Sequence, residues 1–309
     1  MEFFATADEI IDWLVSKLES HTVYVPRSFG FERVSSSEEI KVDVPLTVTP
    51  PKNLFFPHTE KLMMFGRRNV TEILPEKEKK IVFGIRPCDV HALKVLDTVF
   101  LSDPADPYYG TRRGDTILVT LACTELCPGS FCDKAGIELE GDVVITPLGE
   151  GYHVEVRNEE LAEEFGSFRA ASEEEKEEAS KRRISSKQAF KVEWLKDAFE
   201  DEVWEKVARF CIGCGVCTYL CPTCHCFDIT DSGNVRIRTW DSCQFPYFTM
   251  HTSGHNPRPE KKHRLRNRIY HKFSYFPERH GFFACVGCGR CVRMCPSRID
   301  IRELVLGRD

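Results

Sequence analysis

Apolar residues recur at helical spacing near the start of the chain and in alternating or continuous runs further along. Thr6 and Glu9 fit a capping box, and apolar residues follow at the spacing of one helix face, so a helix is predicted over residues 7–19. β-branched alternation between prolines predicts strands over residues 21–25 and 40–49.

Two continuous apolar runs predict buried strands. They are residues 80–85 (KIVFGI) and residues 115–122 (DTILVTLA). Between them, apolar residues from Val90 to Leu96 recur at helical spacing. This strand–helix–strand order is typical of a small α/β domain with at least one parallel pair of strands.

The middle of the chain alternates between short apolar segments and a long polar one. Residues 142–147 and 152–156 predict a hairpin around two glycines. Residues 159–187 are strongly charged and predict a solvated helix or linker. Residues 191–210 are predicted to form a helix that leads into the first cysteine-rich loop.

The second half of the chain carries the same cysteine string twice. Both copies read C-x2-C-x2-C-x3-C-P, which binds 4Fe–4S clusters in bacterial-type ferredoxins, where the fourth cysteine of each run ligates the other cluster. Zinc sites are the alternative, but they usually take two cysteine pairs separated by a longer spacer. The expected ligands are therefore crossed: Cys211, Cys214, Cys217 and Cys295 for cluster one, and Cys285, Cys288, Cys291 and Cys221 for cluster two.

About sixty residues separate the two runs. Connections of this length are uncommon in compact domains and are usually functional. The insert combines aromatic residues with cations such as Arg264 and Arg266. It is expected to contact a partner or to cover the clusters.

Four more cysteines follow the two predicted buried strands. Cys88 comes just after the first strand, and Cys123, Cys127 and Cys132 come after the second. If the strands are parallel neighbours, these thiols meet at the carboxyl edge of the sheet. They could hold a third iron–sulfur cluster or a zinc ion, or remain unligated. Pro87 fits a helix start, which would lower the pKa of Cys88.

Three cysteines belong to neither group. Cys224 and Cys226 follow the first run closely, and Cys243 lies in the insert. They are interpreted as buried unligated thiols. The alternative is that they flank a cluster or face the redox centre of a partner.

Charge is distributed unevenly along the 309 residues. Residues 206–309 hold 17 Lys+Arg and 8 Asp+Glu, a net charge of +9, whereas the remainder holds 25 and 40, a net charge of −15. Clusters held by four thiolates are negatively charged, so nearby cations offset them. This interpretation is favoured over nucleic-acid binding, because no nucleic-acid motif accompanies the basic half.

Motifs for other chemistries are missing from the sequence. It contains no GxGxxG after a strand, no P-loop and no HExxH. Its first residues lack the features of a signal peptide, and no apolar stretch is long enough to span a membrane. Because most of the 15 cysteines are interpreted as metal ligands, a reducing cytoplasm is the expected location.

Several segments resemble one protein family. They are GIRPCDVHALKVLD (84–97), CPTCHCFDI (221–229), TWDSCQFPYFTMHTSGHNPRP (239–259) and the two cysteine runs. Together they resemble the beta subunits of archaeal cytoplasmic sulfhydrogenases and the dicluster electron-transfer subunits of anaerobic sulfite reductases. The resemblance implies a relay between a flavin- and NAD(P)-binding subunit and a catalytic subunit, which is a hydrogenase, a sirohaem sulfite reductase or a heterodisulfide-reductase-like module.

These observations predict an α+β protein in two parts. An N-terminal α/β domain would cover residues 1–185, and a dicluster ferredoxin-like domain with a long insert would cover residues 190–309. The expected function is non-catalytic electron transfer through two 4Fe–4S clusters, with a third iron–sulfur cluster or a zinc ion as the open alternatives at the N-terminal cysteines. Two alternatives are a self-contained reductase with its substrate at the Cys88 and Cys123 edge, and an iron–sulfur module that binds nucleic acid.

Overall fold

The computed structural model describes residues 1–307, which form two β-sheets and the helices around them. The strands are β1 (Glu2–Ala5), β2 (Thr22–Pro26), β3 (Phe31–Arg33), β4 (Thr59–Phe65), β5 (Val70–Glu72), β6 (Lys80–Ile85), β7 (Thr116–Leu121), β8 (Val143–Pro147), β9 (Tyr152–Val156), β10 (Arg169–Ala170), β11 (Phe227–Ser232) and β12 (Val235–Trp240). The larger sheet has the order β10-β1-β9-β8-β7-β6-β2-β3, and the smaller has the order β11-β12-β4-β5.

Most helices are short. They are α1 (Ala7–Ser16), α2 (Pro87–Phe100), α3 (Pro107–Arg113), α4 (Glu173–Arg182), α5 (Val203–Ala208), α6 (Val216–Tyr219), α7 (Lys261–Tyr270), α8 (Phe276–His280), α9 (Arg290–Arg293) and α10 (Arg302–Val305). A π-helical turn, His271–Tyr275, joins α7 to α8. Short 3₁₀ segments cover Ser37–Glu39, Pro51–Leu54, Cys132–Lys134, Glu159–Phe165, Glu193–Lys196 and Pro246–Thr249.

The centre of the larger sheet is parallel. Strand β6 pairs in parallel with both β2 and β7, and β7 pairs in parallel with β8. All six residues of β6 are buried, as expected for a strand covered on both faces. The predicted parallel pair is therefore confirmed, and the carboxyl ends of β6 and β7 lie side by side.

Helix α2 begins directly after β6. Pro87 occupies its first turn, where a missing N–H costs nothing. Its buried face, which includes Val90, Leu93 and Leu96, packs into a core cluster with residues of β6 and β7. Cys88 is thereby held at the sheet edge.

Three other local predictions are confirmed. In the capping box of α1, the backbone N of Thr6 donates to the Glu9 carboxylate at 2.8 Å. Strands β8 and β9 form the predicted antiparallel hairpin, with Val143 opposite Val156. The polar run at 159–187 contains the solvated helix α4, which is capped by Ser172.

Two element predictions are wrong. Residues 40–49 form no strand; Ile40, Val42 and Val44 pack on the core, but β3 already occupies the sheet edge and Pro45 lacks an N–H. The helix predicted over 191–210 is broken, because the Asp201 carboxylate accepts a hydrogen bond from Val203 N at 2.7 Å and starts α5 anew. The first helix also ends at Ser16 rather than at residue 19.

The smaller sheet joins distant parts of the chain. Strands β11 and β12 belong to the insert between the cysteine runs, and β12 pairs antiparallel with β4 from the N-terminal half. A domain division between residues 185 and 190 stays a prediction, and this sheet crosses it.

A buried charge network fastens the smaller sheet. Arg238 on β12 donates from Nε to Glu60 on β4 at 2.8 Å, and it also binds Asp106. Arg112 donates to the other oxygen of Glu60 at 2.6 Å. Arg238 is 3% exposed and Glu60 is 6% exposed, so water solvates neither charge.

We therefore expect Arg238→Met to lower the free energy of unfolding by roughly 3–5 kcal/mol, because it removes the buried cation that Glu60 and Asp106 share and leaves Arg112 to balance Glu60. Arg236→Met on the same strand is the matched control. Arg236 pairs with Asp231 at the surface and should matter much less. Anaerobic urea unfolding followed by circular dichroism measures both. Equal losses for the two variants would contradict the assigned role of the network.

Candidate metal centres

The four thiols predicted for cluster one surround a single cavity. Apolar side chains, including Leu265, complete its wall, and the four cysteines are Cys211, Cys214, Cys217 and Cys295. Backbone N–H groups approach two of these sulfurs: Gly213 N lies 3.4 Å from Cys211 Sγ, and Ile299 N lies 3.3 Å from Cys295 Sγ. Such contacts stabilise negative charge on sulfur.

The four thiols predicted for cluster two surround a second cavity. They are Cys221, Cys285, Cys288 and Cys291. Cys291 lines the first cavity as well, so the two cavities are neighbours. Helices α6 and α9, which carry the third cysteine of each run, contact each other. The repeat in the sequence is thus also a repeat in space.

Two glycines of the second run allow a close approach of backbone. Gly287 and Gly289 have φ of +62° and +72°, and a Cβ on either would lie 2.5 Å or less from the backbone of Phe131 or Gly129. The approach is fixed by a hydrogen bond of 2.7 Å from Phe131 N to Gly287 O. The loop that carries Cys127 and Cys132 therefore rests directly on the second cysteine run.

Buried cations surround the thiols. Lys52, Arg268, Lys272 and Arg290 are each 3% exposed or less. Arg268 donates to Cys224 Sγ at 3.4 Å, and Lys272 donates to Thr223 Oγ1 at 2.7 Å beside Cys221. These four side chains provide the positive charge that a group of buried thiolates requires.

Burial acts against free thiolates at these positions. It raises the pKa of Cys285 to about 12 and that of Cys217 to about 11. It also works to lower the pKa of Lys272, but the neighbouring Cys221 and Cys224 outweigh it, so that pKa is raised. Cationic side chains and a metal centre together can hold these sulfurs in the ionised form.

The structure gathers three of the four N-terminal cysteines around one cavity. Cys88, Cys123 and Cys132 line it, together with Ile137 and Ser186. Cys127 lines the adjoining open cleft, which Cys123 also borders. The sheet edge thus brings Cys88, Cys123 and Cys132 together, while Cys127 lies to one side.

The predicted effect of the helix start on Cys88 is wrong. Burial raises the pKa of the Cys88 thiol well above its usual value, and the adjacent Asp89 carboxylate adds to this effect.

An ion pair connects this edge to the second cysteine run. Arg290 donates to both oxygens of Asp89, at 2.5 and 2.8 Å, and both residues are 1% exposed or less. Cys88 and Cys288 pack in one apolar cluster beside it. The N-terminal thiols and the second cavity are therefore direct neighbours.

The remaining three cysteines lie near the first run. The Cys224 thiol is hydrogen-bonded to that of Cys221. The thiols of Cys226 and Cys243 are hydrogen-bonded to each other. All three are buried or half-buried, and neither Cys226 nor Cys243 borders the two cavities described above.

Sequence reasoning missed the individual buried cations. Arg264, Arg268 and Lys272 recur every four residues, which is a helix-face signal, but a charged face is ordinarily read as solvent-exposed. Arg264 is itself buried, where it donates to Gln244 O at 3.0 Å and is not available to a partner. Arg290 could have been noticed because it stands inside the second run.

The donor set suits iron–sulfur chemistry. Eight thiols line two adjoining cavities, with backbone N–H groups and buried cations beside them. In residues 1–307, no three Cys, His, Asp or Glu side chains converge closely enough to hold a single metal ion. A 4Fe–4S cube needs a wider cage, because each thiolate binds a separate iron.

Comparison with known proteins agrees with this donor set. Residues 210–299 match the family described as 4Fe-4S dicluster domain. Over 295 aligned residues the chain is 37% identical to the sulfhydrogenase 2 subunit beta of Pyrococcus furiosus, and the alignment covers 88% of this chain and 86% of the relative. The chain belongs to the sulfhydrogenase beta-subunit family. No solved structure matches it significantly.

Family membership confirms the predicted fold class, with its C-terminal dicluster domain. The chain is an iron–sulfur electron-transfer subunit of the oxidoreductase class. Within the described residues, none of the helices of this sulfhydrogenase-type subunit combines the length and apolarity needed to cross a bilayer.

Crossed ligation can be tested by reciprocal substitutions. We expect Cys295→Ser to alter the cluster held by Cys211, Cys214 and Cys217, because the four thiols share one cavity. Cys221→Ser should instead alter the cluster held by the second run. Redox titration followed by electron paramagnetic resonance separates the two signals. Damage confined to each substituted residue's own run would show that ligation is not crossed.

Proposed function

We propose that this chain passes electrons, one at a time, between a flavin- and NAD(P)-binding subunit and a catalytic redox subunit of one complex. The observation that carries the proposal is the pair of adjoining cysteine-lined cavities that share Cys291. The Pyrococcus furiosus relative is named as a subunit of a sulfhydrogenase, which supports a place in a larger assembly. Bond chemistry would belong to the partners.

In this proposal each 4Fe–4S cluster supplies a one-electron carrier when bound. Cys211, Cys214, Cys217 and Cys295 would hold one cluster, and Cys285, Cys288, Cys291 and Cys221 the other. The chain's other residues keep water away and set the local charge. Arg268 and Lys272 favour extra negative charge beside the thiols, which raises the potential of a cluster held there.

The surroundings of the first cavity support the transfer of electrons from this cavity to a partner protein. Cys214 is exposed, and the neighbouring Phe210 and Ile212 are 62% and 64% exposed. Exposed apolar side chains at a redox site favour docking of another protein surface. The second cavity is more enclosed, because Cys221 and Cys288 are buried.

The distribution of cations favours electron transfer over nucleic-acid binding. In the part of the chain that the structure describes, Arg238, Arg264, Arg268, Lys272 and Arg290 are all buried. These side chains belong to the basic half of the chain but cannot meet a phosphate backbone. They support the interpretation that the positive charge offsets thiolates.

The division of labour has a direct test. Cluster-loaded protein, kept anaerobic, should not bleach with NADH or NADPH alone, because the nicotinamide would be handled by a flavin subunit. It should bleach when that subunit, purified from the native complex, is added. Dithionite is the control, since it should reduce the clusters in either case. Rapid bleaching by NADH in flavin-free protein would disprove the relay.

We also propose that Cys88, Cys123, Cys127 and Cys132 hold a third metal centre, with iron–sulfur preferred to zinc. Cys88 packs against Cys288, so a cluster there would extend the electron path. Wild-type protein should contain about twelve irons per chain, and the Cys123→Ala/Cys127→Ala variant about eight.

Elemental analysis of anaerobically purified protein measures both iron and zinc. Cys226→Ala is the matched control and should keep the wild-type iron content, because Cys226 borders neither cysteine-lined cavity. About eight irons in all three proteins, without zinc, would show that the N-terminal thiols are unligated.

A further inference from the structure

We propose that Cys226 and Cys243 form a thiol–disulfide couple, a two-electron redox site distinct from the cluster ligands. Its substrate class is a small disulfide or dithiol. The couple goes beyond the proposed relay, whose carriers each accept one electron, and it does not depend on that relay.

The hairpin of β11 and β12 brings the two cysteines together. Phe227 lies opposite Trp240, and one step further Asp241 N donates to Cys226 O at 3.0 Å. The chain then turns over residues 242–245, where Phe245 N donates to Ser242 O at 2.9 Å, and Cys243 lies within this turn. The Cys243 backbone N–H and thiol both contact the Cys226 sulfur. Register and turn therefore fix the pair without help from a metal.

The two thiols differ in their surroundings. The hydrogen bond from Cys226 lowers the pKa of Cys243 to about 6 despite burial, and Arg268 adds to this effect. Gln244 Nε2 also donates to Cys243 Sγ, at 3.4 Å. The same contact between the two thiols raises the pKa of Cys226. The two sulfurs therefore share one proton, and its transfer from Cys226 to Cys243 leaves Cys226 as the ionised sulfur that thiol–disulfide exchange requires.

The two cysteines differ in their exposure to solvent. Cys243 is 8% exposed, whereas Cys226 is half-buried. Cys226 is therefore the more accessible of the two, and the proposal assigns it to meet the small disulfide, with Cys243 completing the reaction from the inside.

The exchange balances in two steps. As Cys226 passes its proton to the Cys243 thiolate, the Cys226 sulfur attacks a disulfide R–S–S–R, which forms a mixed disulfide and releases R–S⁻, and this thiolate takes a proton from the solvent. Cys243 then gives its proton to the second leaving sulfur and attacks the Cys226 sulfur, which closes the Cys226–Cys243 bond and releases the second R–SH. The protein pair loses two electrons and the one proton that it held, and the small disulfide gains them together with one proton from the solvent. A dithiol reverses the reaction.

Neither cysteine has a place among the candidate cluster ligands. Gln244, not Cys243, borders the first cavity, and the lining of the second includes neither thiol. Oxidation of the pair should therefore leave the clusters intact. Iron content distinguishes a redox pair from a pair of ligands.

The test uses the full cluster-loaded chain, kept anaerobic and incubated with hydroxyethyl disulfide. Acid quenching, alkylation and peptide mass spectrometry should find the peptides of Cys226 and Cys243 joined, with two alkylatable thiols lost and iron unchanged. Dithiothreitol should restore both thiols.

Two variants sharpen the result. In Cys243→Ser, Cys226 should stop at the mixed disulfide with the reagent. In Cys226→Ser, the reagent should modify the buried Cys243 at least tenfold less than it modifies Cys226 in Cys243→Ser. Both variants should keep the wild-type iron content. The proposal is overturned if wild-type Cys226 and Cys243 remain fully alkylatable after oxidation, or if either variant loses about four irons, which would make these residues ligands. If the Cys226–Cys243 bond forms but NADH and the flavin subunit do not bleach the clusters, the relay alone is refuted.

Discussion

Cysteine thiolates gathered inside a protein repel one another, and the structure of this molecule depends on how that repulsion is balanced. Four buried cations offset this repulsion: Lys52, Arg268, Lys272 and Arg290. An isolated buried cation would be as unfavourable as the thiolates it meets, so each group needs the other in place. The four cations come from the N-terminal half, the insert and the second cysteine run. Charge compensation therefore ties together segments that lie far apart in the sequence.

The length of the insert follows from this requirement. Helix α7 supplies Arg268, and the π-helical turn after it supplies Lys272. The hairpin of the insert, β11 and β12, pairs with β4 and so completes the smaller sheet. Arg238 on β12 pairs with Glu60 on β4 in this sheet. Lys52 reaches the same region and donates to Cys224 O at 2.9 Å. A minimal ferredoxin fold could not provide these contacts, which explains why so many residues stand between the two runs.

Much of this arrangement could be predicted from the sequence, because its signals are local. The repeated cysteine spacing, the Thr6 capping box and the apolar runs of β6 and β7 each specify a conformation within a few residues. The prediction of a strand over residues 40–49 was wrong because the partner at a sheet edge depends on which segment of the folded chain packs there. A local pattern does not contain that information. The buried cations could not be identified, because hydropathy assigns Lys and Arg to the surface. Only the tertiary fold brings Arg290 onto Asp89.

The contact between Gly287 and Phe131 couples the evolution of the two loops that carry these residues. Neither Gly287 nor Gly289 can acquire a side chain unless the segment at residues 129–132 moves away, since their positions meet its backbone. An insertion in that segment would in turn displace the second run and its sulfurs. Natural variation in the two loops should therefore be concerted.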